Sequence, residues 1–217
     1  APVVQCSPSN TAAGLGTSGD DGYYFRTAPS DDLQAPALAD EVLYDGYSNV
    51  AIVSRADDYG VGFIEEFEPY IENGGGTIVY STPYAPEATS FDDVVSDVIA
   101  SGPDAVVIIA FEEGVQIIQT MVEQGAGPQD IQIYITDGMA TGSLGELIDP
   151  NNPSIAEGIK GTAPAIAPMS GAAFFPDAFA EFAPGVPTIF SAHSYDCAIL
   201  IALAAEAAGS NDSADIA

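Results

Sequence analysis

The sequence predicts an α/β protein of the Rossmann-like type, in which a parallel β-sheet carries helices on both faces. Between residues 50 and 136, four apolar strand-like runs alternate with amphipathic helical stretches. The connections between them are short, which favours parallel strands joined by helical crossovers. Several runs are apolar without alternation, a pattern typical of strands that are covered on both faces of the sheet. Together these observations predict the fold class.

The predicted strands are short runs rich in Val, Ile and Tyr. Two short strands come first, at residues 3–5 and 23–27, separated by a loop rich in Gly, Ser and Asp. The four central strands are residues 50–54, 77–80, 104–110 and 131–136. A last strand is predicted at 161–167, and its internal proline places it at a sheet edge or at a crossing between domains.

The predicted helices lie between these strands and carry apolar residues at helical spacing. They cover residues 30–44, 60–73, 91–100, 112–124, 172–182 and 194–208. In the first helix, Leu33, Ala37 and Leu38 are predicted to form the apolar face. In the second, Phe63 and Phe67 lie on one stripe of a strongly amphipathic helix.

Charge sets this chain apart and excludes several classes of partner. The chain has 217 residues, 32 of them acidic and only 3 Lys or Arg, for a formal net charge of −29. Such a surface repels nucleic-acid phosphates and anionic lipid headgroups, so neither nucleic acid nor direct membrane insertion is expected. No apolar run reaches the ~18 residues of a membrane span. The scattered acids indicate a solvated surface, and attraction of cationic solutes is the alternative.

The cysteines leave two alternatives open. Cys6 and Cys197 lie near opposite ends of the chain, and neither has the spacing of a metal ligand. With a single histidine in the chain, no metal and no cofactor are expected. The cysteines are either two buried free thiols or one disulfide, and the disulfide is favoured if the protein is exported.

Aromatic and acidic residues follow the central strands, where ligands bind in open parallel sheets. Tyr59, Phe111 and Asp137 follow the first, third and fourth of these strands. The set suits a small solute with an ammonium group, because a carboxylate pairs with the charge and aromatic faces attract cations. Each residue also has a structural alternative: Asp137 in an Asp-Gly turn, and both aromatic residues as packing groups.

Two further hydroxyl residues follow the first predicted strand. Ser9 and Thr11 could offer hydroxyls and free backbone amides to a carboxylate group, although turn or cap chemistry is the commoner role. Catalysis finds little support, because there is no Gly-x-Ser-x-Gly motif and the single histidine, His193, stands just before a predicted helix. We therefore predict that the chain is not an enzyme, with a hydrolase that uses His193 as a remote alternative.

Six short motifs, in order and at matching spacing, resemble the periplasmic binding proteins of the branched-chain amino acid type. They are Cys6-Ser-Pro-Ser-Asn-Thr, Tyr24-Phe-Arg-Thr-Ala-Pro-Ser-Asp, Val50-Ala-Ile-Val with Asp58-Tyr-Gly-x-Gly, Pro103-Asp-Ala-Val-Val, Thr136-Asp-Gly and Ser194-Tyr-Asp-Cys. Each motif alone is weakly specific, but their order extends the resemblance over nearly the whole chain.

The resemblance implies a protein of two Rossmann-like lobes that hold a ligand between them, with the first lobe largely missing from this sequence. Residues 1–26 then form the last strand of lobe one and a hinge crossing. Residues 27–165 form lobe two, and 166–217 form the hinge return and a helix on lobe one. Cys6 and Cys197 would both lie on the lobe-one side, which supports the disulfide. No signal peptide or lipid-attachment motif is present, so we expect a piece of a longer chain.

The resemblance also implies a function and a role for each candidate residue. Ser9 and Thr11 correspond to positions that hold the α-carboxylate of the solute, and Asp137 to a position that grips its α-ammonium. Tyr59 matches a pocket tyrosine, and Phe111 lies near a family aromatic. The expected function is extracellular or periplasmic capture of an amino acid or similar small polar solute for the membrane permease of an ABC transporter. Lipid anchoring through a preceding segment is also expected, and the sensing domain of a receptor is the alternative function.

Overall fold

The computed structural model of the chain describes residues 3–165, 173–186 and 188–217. The chain divides into two compact units, the smaller formed by Ala1–Ser30 with Pro164–Ala217 and the larger by Asp31–Ala163. The larger unit contains the central strands and their helices. The division of the chain at residues 26/27 and 165/166 into parts of two lobes stays a prediction.

Strands and helices alternate along the chain. In the described residues the strands are β1 (Gln5–Ser7), β2 (Tyr24–Arg26), β3 (Asn49–Arg55), β4 (Thr77–Tyr84), β5 (Ala105–Ile109), β6 (Gln132–Ile135) and β7 (Lys160–Gly161). The α-helices there are α1 (Asp31–Tyr44), α2 (Asp58–Asn73), α3 (Asp92–Ser101), α4 (Gly114–Glu123), α5 (Leu144–Ile148), α6 (Phe175–Phe182), α7 (Ser191–Ala208) and α8 (Ser213–Ile216). Short 3-10 helices lie at Ala13–Thr17, Asp137–Met139 and Pro153–Ala156.

The larger unit is built on one parallel sheet. Its strand order is β4-β3-β5-β6-β7, and every neighbouring pair runs parallel. Helical crossovers connect successive central strands, as a parallel sheet requires. The fold class predicted from the sequence is therefore confirmed.

Both faces of this sheet are covered, because successive residues of a strand point to opposite sides. Ala51 and Val53 join one apolar cluster with residues of α3 and α4. Val50 and Ile52 join a second cluster with residues of α1 and α2. All four are at most 1% exposed. This double burial explains the unbroken apolar run that predicted β3.

Helix α2 begins immediately beyond β3, two residues before the predicted start at Gly60. Asp57 is the N-cap, and its side chain accepts a hydrogen bond from the Gly60 amide at 3.0 Å. Gly60 is needed here, because a Cβ atom at this position would collide with the backbone carbonyl of Arg55. The tight turn places Tyr59 in the first turn of the helix, at the carboxyl end of β3.

Two features of the larger unit differ from the sequence prediction. Strand β4 continues to Tyr84 instead of ending at Tyr80, because an edge strand tolerates Pro83 in its ladder. The apolar face predicted for α1 is wrong at two of its three residues: Leu38 is fully buried, but Leu33 is 67% exposed and Ala37 is also exposed. The buried face instead contains small and medium apolar residues together with two polar ones. These residues are Asp31, Gln34, Ala35, Leu38, Ala39 and Val42.

The carboxyl-terminal third of the chain also departs from the prediction. The predicted strand at 161–167 is reduced to β7, with no strand at 162–165, where Pro164 removes a ladder donor. The rest of that prediction and the predicted start of a helix at Ala172 lie outside the described residues. Helix α7 begins at Ser191, three residues earlier than predicted, so His193 lies within the helix.

The smaller unit ties the two ends of the chain together. Strands β1 and β2 pair in parallel, with Cys6 opposite Phe25. A disulfide joins Cys6 of β1 to Cys197 of α7, with Cα atoms 5.6 Å apart. This observation confirms the predicted disulfide. Beside it, Thr27 Oγ1 donates to the carbonyl of His193 at 2.9 Å.

Within the described segments, no helix combines the length and apolar character needed to cross a membrane.

Candidate ligand-binding site

A hydrogen-bonded cluster in the larger unit joins three elements at the carboxyl end of the sheet. Tyr59 Oη lies 2.7 Å from Thr136 Oγ1 and 3.1 Å from Asp137 Oδ1. Gln34 Nε2 donates to the same Asp137 oxygen at 2.8 Å. The structure thus brings together Tyr59 and Asp137, which are 78 positions apart in the chain. It adds Gln34 and Thr136, which the sequence analysis did not select.

The positions of these side chains follow from the parallel sheet. Tyr59 lies in the first turn of α2, which follows β3, and Asp137 begins a 3-10 helix directly after β6. Parallel strands end at the same edge, so residues that follow them meet there. Gly138 allows the close approach, because a Cβ atom at this position would collide with the Ala110 carbonyl and lie 2.7 Å from the Phe111 ring.

Asp137 is a carboxylate in a poorly solvated place. It is 5% exposed, and burial raises its pKa, while hydrogen bonds from Gln34 and Tyr59 act in the opposite direction without cancelling the effect. Burial and the nearby charge of Asp137 together raise the pKa of Tyr59 well above its usual value. The phenol therefore stays protonated and serves as a donor. A buried carboxylate of this kind gains most from a cationic partner.

An aromatic stack adjoins the cluster. The rings of Tyr59 and Phe111 are parallel within 2°, with centroids 5.3 Å apart. Phe111 is 41% exposed, so it lies at the surface of the larger unit and not in its core. The guanidinium carbon of Arg55 lies 4.4 Å from the centre of the same ring. The partly exposed Phe111 ring is thus connected to the Asp137 carboxylate through Tyr59, which stacks on the ring and bonds the carboxylate.

A charged network surrounds Arg55 at this edge of the sheet. Arg55 pairs with Glu113 and, at 2.8 Å, with Asp57. Tyr84 donates to the same Glu113 carboxylate at 2.8 Å. Burial favours the neutral form of Glu113, but hydrogen bonds from Tyr84 and Arg55 outweigh it, and its pKa lies below the usual value. Asp57 follows β3 and Glu113 follows β5 in the chain, but nothing in the sequence indicates the residues with which they pair.

A groove of about 660 Å³ lies beside the cluster in the larger unit. Thr136, which bonds Tyr59, and Thr162, whose carbonyl accepts from Gln34, both line it. Its other polar lining includes Glu146 and Glu157. This volume falls in the range of small-molecule sites, which is roughly 300–1,000 Å³.

The candidate carboxylate-binding residues lie in the smaller unit. Ser9 is exposed, whereas Thr11 is 3% exposed. The backbone amides of Ser9 and Asn10 lie 3.3 and 3.0 Å from Ser7 Oγ. Arg26 donates to the carbonyl of Thr11 at 3.1 Å. These contacts form a fixed turn, and the role of Ser9 and Thr11 in ligand binding stays a prediction.

The remaining chemical candidates have other surroundings. His193 is 8% exposed within α7, and burial lowers its pKa. The Phe190 ring lies beside it, with centroids 5.9 Å apart. Among the described residues, no group of His, Cys, Asp and Glu has the arrangement of a metal site.

Comparison with protein families gives a match over the whole chain. The family model described as periplasmic binding protein matches residues 1–217. Among curated proteins, the chain is 28% identical over 120 residues to the uncharacterized protein MJ1266 of Methanocaldococcus jannaschii, which covers 51% of this chain and 29% of that protein. It is 30% identical over 118 residues to metabotropic glutamate receptor 4 of Macaca fascicularis, covering 52% of this chain and 13% of the receptor.

Solved structures resemble the whole chain. The leucine binding protein LivK of Thermotoga maritima superimposes with a TM-score of 0.82 at 23% identity, over 98% of this chain and 60% of that one. LivJ of Streptococcus pneumoniae, solved with isoleucine, gives 0.81 at 24% identity over 99% and 60%. A solute binding protein of R. palustris, solved with 4-hydroxybenzoate, gives 0.77 at 17% identity over 99% and 59%. The chain thus spans about 60% of these structures and less than a third of the two curated relatives.

Proposed function

Because this chain belongs to the periplasmic binding protein family, we propose that it is part of a protein that captures an amino acid or similar small polar solute in the periplasm or outside the cell. The solute would be held between two lobes and delivered to the permease of an ABC transporter. The observation that carries this proposal is the buried Asp137 carboxylate, whose donors Gln34 and Tyr59 are both uncharged.

The proposed roles follow the chemistry of a zwitterion. Asp137 binds the α-ammonium group, and the partly exposed Phe111 ring, stacked on Tyr59, forms an adjoining wall. Ser9 and Thr11 bind the α-carboxylate with hydroxyl and amide groups. The roles of Ser9 and Thr11 rest on the family resemblance, whereas that of Asp137 also rests on its burial and its pKa.

The proposal is tested on the intact protein in two steps. Mass spectrometry of small molecules released on denaturation should detect an amino acid or a solute of similar size and polarity. Titration calorimetry of the emptied protein with the twenty amino acids should then give a saturable signal for at least one of them. If nothing is released and no amino acid binds, capture of amino acids is wrong.

A receptor domain that senses the solute is the second candidate, favoured by the similarity to a metabotropic glutamate receptor. Deletion of the gene should have different effects for a transport component and for a sensor. A transport component is needed for uptake of the radiolabelled solute by cells, whereas a sensor is needed for the response to the solute and not for its uptake. An uptake assay in the deletion strain therefore separates them.

The proposed function also implies that the protein is not an enzyme and needs no cofactor. We further propose that a lipid anchor on a preceding segment holds it near the membrane. Incubation of the intact protein with its bound solute, followed by mass spectrometry, should return the solute unchanged. Partition of the cellular protein into detergent would support the anchor.

A further inference from the structure

The larger unit contains two cationic side chains, Arg55 and Lys160, and each is held between two carboxylates. Arg55 pairs with Asp57 and Glu113. Lys160 Nζ lies 2.9 Å from a Glu41 oxygen and 2.7 Å from Asp45 Oδ2. Each cation is therefore outnumbered by its own partners, and the formal charge of each group is negative.

The Arg55 group lies directly beside the proposed binding residues. Its guanidinium covers the Phe111 ring, which stacks on Tyr59, and Tyr59 bonds Asp137. The side chain of Arg55 is 14% exposed and that of Glu113 is 19% exposed, so solvent screens this pair only in part. With Asp137, this edge of the sheet carries a net excess of negative charge.

The Lys160 group adjoins the groove that lies beside the Asp137 cluster. Lys160 lines the groove that Thr136 and Thr162 share with the Asp137 cluster. Glu146 and Glu157 line it as well, so acids outnumber cations there also. A solute side chain directed toward Phe111 or into the groove therefore meets paired cations and additional carboxylates.

We propose that this site selects against solutes with an acidic side chain and accepts zwitterions whose side chain is neutral or cationic. The reason is that Glu113 and Asp57 already neutralise Arg55, which would otherwise bind a second carboxylate of the solute. This inference rests on the proposed function and deepens it, because it specifies the class of amino acid that is captured.

The test uses pairs of amino acids that match in shape and differ in charge. Leucine, asparagine and aspartate share the same branching, and glutamine and glutamate form a second set. On the intact wild-type protein, calorimetry should show the acidic member binding at least about tenfold more weakly than its neutral counterpart, as like charges in an interface repel.

Glu113→Gln provides the decisive variant, because it releases one of the two carboxylates on Arg55. The ratio of neutral to acidic affinity should fall by roughly threefold or more. Its neighbour Glu112 is exposed, and Glu112→Gln is the matched control that should leave the ratio unchanged. Asp57→Asn is a second variant that retains an N-capping side chain, with the exposed Asp58→Asn as its control. Thermal unfolding identifies any variant that fails to fold.

The outcomes separate the inference from the proposed function. Wild-type protein that binds aspartate or glutamate as tightly as the neutral counterpart overturns the inference and leaves amino-acid capture intact. An unchanged ratio in folded Glu113→Gln and Asp57→Asn proteins overturns the role of Arg55 neutralisation. If none of the twenty amino acids binds, these five included, capture of amino acids is wrong, and the inference falls with it.

Discussion

Two tyrosine–aspartate pairs in the larger unit share one type of hydrogen bond and differ in the charge around it. In the first, Tyr134 donates to Asp45 at 2.5 Å, and the Lys160 ammonium lies 2.7 Å from both oxygens of that carboxylate. Lys160, followed by Tyr134, lowers the pKa of Asp45. This aspartate has its counter-charge within the chain.

In the second pair, Tyr59 donates to Asp137 at 3.1 Å, and the neutral amide of Gln34 donates to the same oxygen. Burial raises the pKa of Asp137 instead of lowering it. The chain has only three Lys and Arg residues, and each has other partners: Arg26 bonds backbone carbonyls, while Arg55 and Lys160 pair with other acids. Among the described residues, therefore, no Lys or Arg side chain is paired with Asp137, which is the position that we propose for the ammonium group of the solute.

The largest expected effect comes from removing the two aspartates in turn. Asp137→Ala in the intact protein should weaken amino-acid binding by about 2–5 kcal/mol, because the buried ammonium of the solute loses its partner. Asp45→Ala should leave the affinity unchanged, since its carboxylate already has a lysine. Titration calorimetry measures both. Equal affinities of wild-type and Asp137→Ala proteins would show that Asp137 is only a structural turn residue.

The tyrosines give the next largest contrast. Tyr59→Phe should weaken solute binding by about 1.5 kcal/mol, the lower end for a hydrogen bond to a charged group, because Asp137 is less well oriented. Tyr134→Phe should lower the thermal unfolding temperature without changing the affinity. Calorimetry and circular dichroism on the two variants test the contrast. A loss of affinity in Tyr134→Phe that equals the loss in Tyr59→Phe would contradict it.

The sequence was sufficient to predict the sheet and part of this contrast. Continuous apolar runs determine the buried strands, and parallel strands bring the residues that follow them to one edge, so the proximity of Tyr59 and Asp137 was predictable. The partner Gln34 was not, because only four of the six residues that α1 buries are apolar, and the apolar pattern of this helix suggested a face through Leu33. A polar residue on a weakly apolar helix gives no local signal of burial.

The ion pairs of Arg55 could not be predicted from the sequence either. Arg55 and Glu113 are 58 positions apart and meet because β3 and β5 are neighbours in the sheet. In a chain with 32 acidic residues, nothing local singles out Glu113 from Glu112. The structure distinguishes them by burial, since Glu112 is exposed and Glu113 lies between Arg55 and Tyr84. Pairing of this kind depends on three-dimensional packing, which periodicity does not encode.

The pH dependence of stability should differ in sign between the two aspartates. Asp137 has a folded-state pKa above its usual 3.8, so its ionised form destabilises the free protein at neutral pH, and this penalty disappears as the pH falls through the raised value. Asp137→Asn should therefore unfold at a higher temperature than wild type at pH ~7, with the difference vanishing at pH values below the usual aspartate pKa.

Asp45 should behave in the opposite way. Its pKa lies below 3.8, so its ionised form stabilises the fold above that pH, and the contribution is lost as the pH falls through the lowered value. Asp45→Asn should unfold at a lower temperature than wild type at neutral pH and approach it in acid. Calorimetric scans of the ligand-free proteins across this range measure both differences. The same sign for both variants at neutral pH would contradict the comparison.

The smallest effect is expected from removing the lysine that distinguishes the two pairs. Lys160→Gln leaves Asp45 with Tyr134 alone, which imitates the arrangement at Asp137. The side chain of Lys160 is 44% exposed, so the unfolding temperature should fall slightly at low salt and the difference should vanish near ~1 M salt, where screening is strong. A difference that persists at high salt would indicate a packing role for the lysine stem.

Even without the lysine, the pKa of Asp45 should stay below that of Asp137. NMR titration of the Asp45 carboxyl in the Lys160→Gln protein measures the difference. The Asp45 side chain is 18% exposed, so water can replace the ammonium, and its pKa should return toward 3.8. Asp137 is only 5% exposed, and its pKa is raised although two donors face it. Absence of a lysine therefore does not by itself make a cation site, because burial must also keep water away from the carboxylate. A rise of the Asp45 pKa in this variant to the value measured for Asp137 would show that burial is not the deciding factor.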